Sequence, residues 1–183
     1  MLEIAVLGLL SESPMHGYEL RKRLATTLGT FRAFSYGSLY PSLRRLAEAG
    51  WISEEAPLDA SGAAVRSRRG KRVYQLTAEG KERLAELLAD VGPEAFEDDG
   101  FGARLALFGQ TRSDVRLQIL EGRRRRVEEK RDGMKSALSR SQRLDRYTRE
   151  LQQHGLESVD REVRWLNELI EHERTGRTAG HDG

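Results

Sequence analysis

Apolar positions recur along the first fifty residues at spacings that suit helices. Leu2, Ile4, Ala5, Leu7, Leu9 and Leu10 form a dense run, and its length and Leu/Ala content predict a helix that ends near Ser11, closed by Pro14. A second helix is predicted from about His16 through Tyr18 to Gly29. Its Leu20, Leu24 and Leu28 are spaced four apart on one face, and Arg21, Lys22 and Arg23 sweep across the other. For a third helix, Ser38 is a suitable N-cap and Pro41 is tolerated only in a first turn, so the start has little freedom. Leu39, Leu43 and Leu46 line its buried stripe, Gly50 ends it, and Tyr40, Ser42, Arg44 and Arg45 occupy the opposite face.

The pattern then changes period. Residues 51–58 and 71–77 are short stretches, the second with Val73, Gln75 and Thr77 alternating with Tyr74 and Leu76, and a Gly/Ser-containing loop separates them. They predict a β-hairpin with a long tip. Thr77 is placed to cap another helix over 78–91, stopped before Pro93. Residues 93–111 read as a linker followed by a short docking helix built on Phe101, Leu105, Leu107 and Phe108. From Arg112 to about His154 the chain is a highly charged helical stretch in which Leu120, Val127 and Met134 fall seven apart, with Leu138 starting a shifted pattern. Gly155 is expected to break it. Ser158 then caps a last helix with Val159, Val163, Leu166 and Ile170 on one face. Residues 175–183 are expected to be a disordered tail.

High Leu, Arg and Glu usage with four prolines makes a mostly helical protein the expectation. The fold class predicted is mainly α with a small β-hairpin, organised as 1–92, the 93–111 connection, and a helical domain over 112–174. Long helices with thin apolar seams bury themselves economically as a homodimer. Leu120, Val127, Met134, Leu138, Val159, Val163, Trp165, Leu166 and Ile170 are the candidate dimerisation residues, and an ordinary hairpin within one chain is the competing explanation of the same pattern. No run approaches the ~18 apolar residues of a membrane span, no basic leader precedes the first helix, and there is no cysteine. A cytoplasmic protein that does not engage membranes is expected.

The formal net charge of +2 conceals a local asymmetry. Arg66, Arg68, Arg69, Lys71 and Arg72 put five cations, and no carboxylate, into seven residues at the hairpin tip. Ordinary surfaces mix signs, so this loop is a candidate footprint for a polyanion. Three helices followed by a hairpin with a cationic tip form the order of a winged helix-turn-helix. In that order one helix enters the major groove of duplex DNA while the loop lies on adjacent phosphates or in the minor groove. The candidate contacts are Tyr36, Ser38, Tyr40, Ser42, Arg44 and Arg45 around the third helix, with the five loop cations. Against each stands a plainer role: Tyr40 and Tyr36 as packing, Arg44 and Arg45 as solvated charge, and Arg72 as the partner of a carboxylate. The run Arg123 to Arg126 is flanked by Glu121, Glu128, Glu129 and Asp132, and ion pairing explains most of it.

Enzyme chemistry finds no support in the sequence. The four histidines, His16, His154, His172 and His181, are scattered with no metal-ligand spacing, and neither a nucleotide loop nor a nucleophile elbow is present. No metal and no cofactor are expected. A protein-interaction adaptor built on the same fold, without specific DNA binding, is the alternative, because a fold alone does not fix a function.

Pro14-Met15-His16-Gly17-Tyr18-Glu19-Leu20, then Gly37-Ser38-Leu39-Tyr40-Pro41-Ser42-Leu43-Arg44-Arg45-Leu46 with Gly50, and finally Tyr74, Leu76, Thr77 and Gly80, resemble the PadR family of bacterial transcriptional regulators. The ordered resemblance covers about the first eighty residues. It implies a homodimeric winged helix-turn-helix, usually a repressor, on a pseudo-palindromic double-stranded operator, with the 112–174 region as dimerisation domain. It also implies that Gly17 to Leu20 helps seat the turn motif, and that Tyr40 and the Ser38 helix start meet DNA. Members respond to phenolic acids, drugs or unknown signals. Those that sandwich flat drugs use a tryptophan on the helix after the wing; 78–91 contains none, which leaves the effector open.

Overall fold

The computed structural model describes residues 1–28, 38–55, 72–140 and 145–179. It divides into two compact units, one of residues 1–90 with 98–111, the other of 91–97 with 112–183. No described helix is long and apolar enough to cross a membrane.

The first unit is built around α1 (Leu2–Glu12), whose residues Ile4 to Leu10 are all buried. A helix apolar on every side must be enclosed on every side. Its neighbours are α2 (Gly17–Leu28), α3 (Leu39–Glu48), α4 (Ala78–Ala89) and α5 (Phe101–Ala106). One core joins Val6, Leu7 and Leu10 of α1 to Leu20, Leu24 and Leu28 of α2, Leu39, Leu43 and Leu46 of α3, and Leu84 of α4. Arg104 of α5 is buried against the end of α4, donating to the Leu87 carbonyl and approaching Asp90 to 3.3 Å. It thereby adds a side-chain donor to a last-turn carbonyl that otherwise shares the Asp90 amide, at 3.3 Å, with Glu86.

The sheet has three strands rather than two. β1 (Met15–His16) pairs antiparallel with β3 (Val73–Leu76), which pairs antiparallel with β2 (Ile52–Glu55), in the order β1-β3-β2. Met15 faces Tyr74 across the first ladder, and Glu54 faces Tyr74 across the second. His16 therefore belongs to a strand, and α2 begins one residue later than its apolar spacing predicts. Two residues are too few to show a period, so this strand exists because β3 offers it a partner.

Thr77 caps α4: its hydroxyl oxygen accepts from the Gly80 amide at 3.0 Å and its proton goes to the Gly50 carbonyl at 2.7 Å. Removing the hydroxyl in Thr77→Ala is expected to cost about 1 kcal/mol, with Thr77→Ser close to the parent, in chemical denaturation followed by circular dichroism. Equal stability of the alanine variant and the parent would show that the cap contributes nothing. Ser38 differs from this pattern. It precedes α3 with helical backbone angles, φ −90° and ψ −17°, and makes no side-chain capping bond, so position rather than its hydroxyl marks that helix start.

The second unit is an antiparallel pair, α6 (Ser113–Arg140) and α7 (Arg146–Ala179), with the short turn Pro93–Ala95 and Phe96 packed on α6 at Gly122. The sequence predicts a break at Gly155 and a helix start at Ser158. Instead α7 begins after Asp145 and runs without interruption through Gly155 to Ala179, beyond residue 174 where the tail was expected to begin. Asp145 is the effective cap. Its carboxylate accepts from the Tyr147 and Thr148 amides at 2.9 and 3.1 Å, and these bonds, with the Thr148 hydroxyl foremost, hold it below the usual carboxylate range. Gly155 serves packing, because a Cβ there would lie 2.9 Å from the Met134 methyl of α6. Residues 180–183 of the expected tail lie outside the described residues.

Candidate nucleic-acid interface

All the elements of this surface belong to the first unit. In α3, the buried residues are Leu39, Ser42, Leu43 and Leu46, at i, i+3, i+4 and i+7. Ser42 is only 3% exposed. It was expected on the outer face; the stripe defined by the three leucines includes it, because positions 39, 42, 43 and 46 share one side of a 3.6-residue helix. The outer face is left to Ser38, Tyr40, Arg44 and Arg45, all exposed. Tyr40 and Arg44 are one turn apart and so point the same way. The one carboxylate of α3, Glu48, is exposed in its last turn, one turn beyond Arg44.

Tyr40 has two roles in this geometry. It is 48% exposed, yet its ring edge stands 3.4 Å from where a side chain on Gly17 would begin, beside the Tyr74 ring at 3.3 Å. The first residue of α2 is thus seated between two tyrosine rings, where a side chain would fit only tightly. The Tyr74 phenol is buried and its pKa is raised, first by burial and then by the Glu54 carboxylate across the ladder. It remains a neutral phenol at physiological pH.

Glu54 also takes Arg72, in a direct ion pair. Arg72, a candidate phosphate ligand by its place in the basic run, is therefore committed to a cross-strand carboxylate in this conformation, which is the plainer of its two roles. Gln75 and Glu55 are joined similarly, with the amide donating at 2.7 Å. Tyr36, Arg66, Arg68, Arg69 and Lys71 lie outside the described residues.

The surface contains a group that the motif reading left out. Tyr18, in the first turn of α2, is 68% exposed, and Arg21 and Lys22, one turn on, are exposed as well. The signal was available: Tyr18 is two positions from the buried Leu20, about 200° around a helix, and so faces away from the core. Arg23 is different, because it spends its charge on Glu12 at 3.1 Å and Glu19 at 3.5 Å.

The nine candidate dimerisation residues belong to the second unit. Leu120, Val127, Val159, Val163, Leu166 and Ile170 are buried within the single chain, where α6 and α7 face each other. The seven-residue spacing is consumed by the hairpin, because two helices of one chain satisfy a heptad seam as well as two chains do. Met134, Leu138 and Trp165 are half-buried. The most exposed large apolar side chains are others, Tyr147 at 82% and Leu151 at 71%, one turn apart on α7.

The helices α1 to α3, the three-stranded sheet and an arginine-rich connection between β2 and β3 give the first unit the order of a winged helix-turn-helix head, with α4 and α5 packed on α1. Residues 6–86 match the model of the Transcriptional regulator PadR-like family. Over that stretch, a little under half of its length, the chain resembles PadR-like transcriptional regulators. The Negative transcriptional regulator PadR of Bacillus subtilis is 28% identical over 88 residues, which are 48% of this chain and 45% of that protein, so the match spans about half of either. Among solved structures, Bacillus subtilis PadR in complex with operator DNA is 21% identical, with 94% of this chain and 98% of that chain covered and a TM-score of 0.43. The protein smu.1604c of Streptococcus mutans is 29% identical over 92% and 98%, with a TM-score of 0.43. The putative transcriptional regulator TA0346 of Thermoplasma acidophilum is 30% identical over 46% and 72%, with a TM-score of 0.38.

Proposed function

We propose that this chain is a sequence-specific DNA-binding repressor that occupies a pseudo-palindromic operator as a homodimer and answers to a small-molecule effector. The observation that carries the reading is the division of α3: four stripe positions are buried, and the opposite face presents Tyr40, Arg44 and Arg45, with the helix's one carboxylate, Glu48, confined to the last turn. A helix seated by its leucines and bare on its cationic side suits a major groove. Tyr18, Lys22 and the basic run from Arg66 to Lys71 supply flanking phosphate contacts. The negative sign of regulation is taken from the name of the Bacillus subtilis relative.

Selection of duplexes from a random library, with the winning site re-measured across salt, tests this. A two-fold symmetric consensus is expected, with half-sites about 34 Å apart or a multiple of that. Arg44→Ala is expected to weaken binding about tenfold and to relax preference at one base pair of each half-site. Arg68→Ala with Arg69→Ala is expected to weaken binding to every sequence and to flatten the salt slope. Tight, salt-sensitive binding that neither variant alters would remove both assignments, and folded protein that binds no duplex would leave the adaptor role. For the homodimer, Tyr147→Glu with Leu151→Glu is expected to yield monomers in sedimentation equilibrium. Dimers of undiminished affinity would place the interface elsewhere.

A further inference from the structure

The first unit has a pocket of about 140 Å³ between α1, α2 and α5, open to solvent on one side. Leu9 of α1, Leu24 and Leu28 of α2 and Leu107 at the end of α5 line it, and Ala103 and Ala106 leave the space open. An apolar cavity of about 150 Å³ accepts benzene, so a volume of this size suits one aromatic ring. Its polar lining includes Glu12 and Arg23. The Arg23 guanidinium is shared by two carboxylates, Glu12 at 3.1 Å and Glu19 at 3.5 Å, so this three-charge group carries one net negative charge.

We infer that the cavity is a binding site for a monocyclic aryl-alkyl ammonium ion, with its ring among the leucines and its ammonium on Glu12. The leucines and alanines offer the ring no hydrogen-bonding competitor. The excess carboxylate selects a cation over an anion, because an anionic ligand would need Arg23 to leave both of its partners. Neutralising the surplus charge at the lining is the electrostatic gain, modest because both Glu12 and Arg23 are in contact with water. A ligand seated here touches the last turns of α2, on the side of that helix opposite the exposed Tyr18. The site does not depend on the head binding DNA.

The test is made on the whole chain without DNA, by titration calorimetry and saturation-transfer NMR, with 2-phenylethylammonium as probe and 3-phenylpropionate as its anionic counterpart. The ammonium is expected to bind about tenfold more tightly than the carboxylate, the difference between one weak attraction and one weak repulsion. Glu12→Gln is expected to reduce the ammonium affinity about threefold and to narrow the gap between the two probes. Ala103→Leu is expected to abolish binding of both probes. Because Ala103 is buried, Ala106→Leu at the exposed side of the cavity repeats the test in a variant whose circular dichroism is expected to match the parent. Equal or tighter binding of the carboxylate, or unchanged affinity in Glu12→Gln, would overturn the charge assignment. Unaltered binding in both alanine variants, or no binding of either probe at millimolar concentration, would overturn the site.

Discussion

Gly80→Ala is expected to lower the stability of the winged head by about 3 kcal/mol, at the upper end of what overpacking a core costs. A Cβ on Gly80 would stand 1.9 Å from the Trp51 carbonyl oxygen and 2.9 Å from its carbon, with the Leu76 methyl at 2.8 Å. A leucine methyl can rotate away. The carbonyl cannot, because it accepts the Thr77 amide at 3.2 Å at the point where α3, β2 and α4 converge. Relief requires α4 to back away from Trp51, which also pulls Arg83 from its place 5.0 Å over the indole and from Glu3 of α1 at 2.8 Å. Gly109→Ala is the control, since nothing lies within 4 Å of a side chain there. Urea denaturation of the two variants decides the matter: if their midpoints fall together, the close approach at Gly80 is not what holds α4 in place.

The second large effect is expected in the helical hairpin. The Arg123 guanidinium is buried, 2.6 Å from Glu162, and it also donates to the Phe96 carbonyl at 3.3 Å. Removing one partner of a buried pair costs about 3–5 kcal/mol, because the remaining charge stays desolvated. Glu162 is 30% exposed, which lets water reach the site and reduces the expected cost of Glu162→Ala to about 2 kcal/mol. Replacing both partners, Arg123→Met with Glu162→Ala, is expected to recover most of that loss, with Arg123→Met alone as the other corner. The double-mutant cycle checks it by thermal denaturation. Additive losses, with no recovery in the double variant, would mean that the pair is not coupled.

Much of the head was legible in the sequence, and the reasons are local. Leu20, Leu24 and Leu28 repeat at helical spacing, and Thr77 caps as its hydroxyl allows. What was not legible depends on partners distant along the chain. The β1 strand is recognisable only once β3 is beside it, and Gly155 reads as a helix break only while Met134 is out of view. Ser42 was assigned by its polarity, although its spacing from Leu39, Leu43 and Leu46 placed it in the core. The seam of the hairpin illustrates a degeneracy: the spacing of Leu120 and Val127 identifies a buried face, and carries no information on whether the covering helix belongs to the same chain. At the candidate interface the charges of Arg44 and Arg72 looked alike, and only the register of β2 with β3 shows that Arg72 has Glu54 for a neighbour.

The division of residues between the two units limits how this protein can be dissected. Going from the amino to the carboxyl end, the polypeptide passes from the first unit to the second after Asp90, returns at Asp98, and leaves again after Thr111. A truncation at the end of the family match, residue 86, would cut into the last turn of α4 and discard α5, so both sides of the Arg104–Leu87 contact are lost. A cut after 111 keeps α5 but strips Phe96 of its seat on Gly122 and leaves Arg123 without the Phe96 carbonyl. Each cut leaves contacts of the parent unmade, so grafting this head onto a foreign partner calls for residues 91–97 to be rerouted or replaced rather than for the chain merely to be severed.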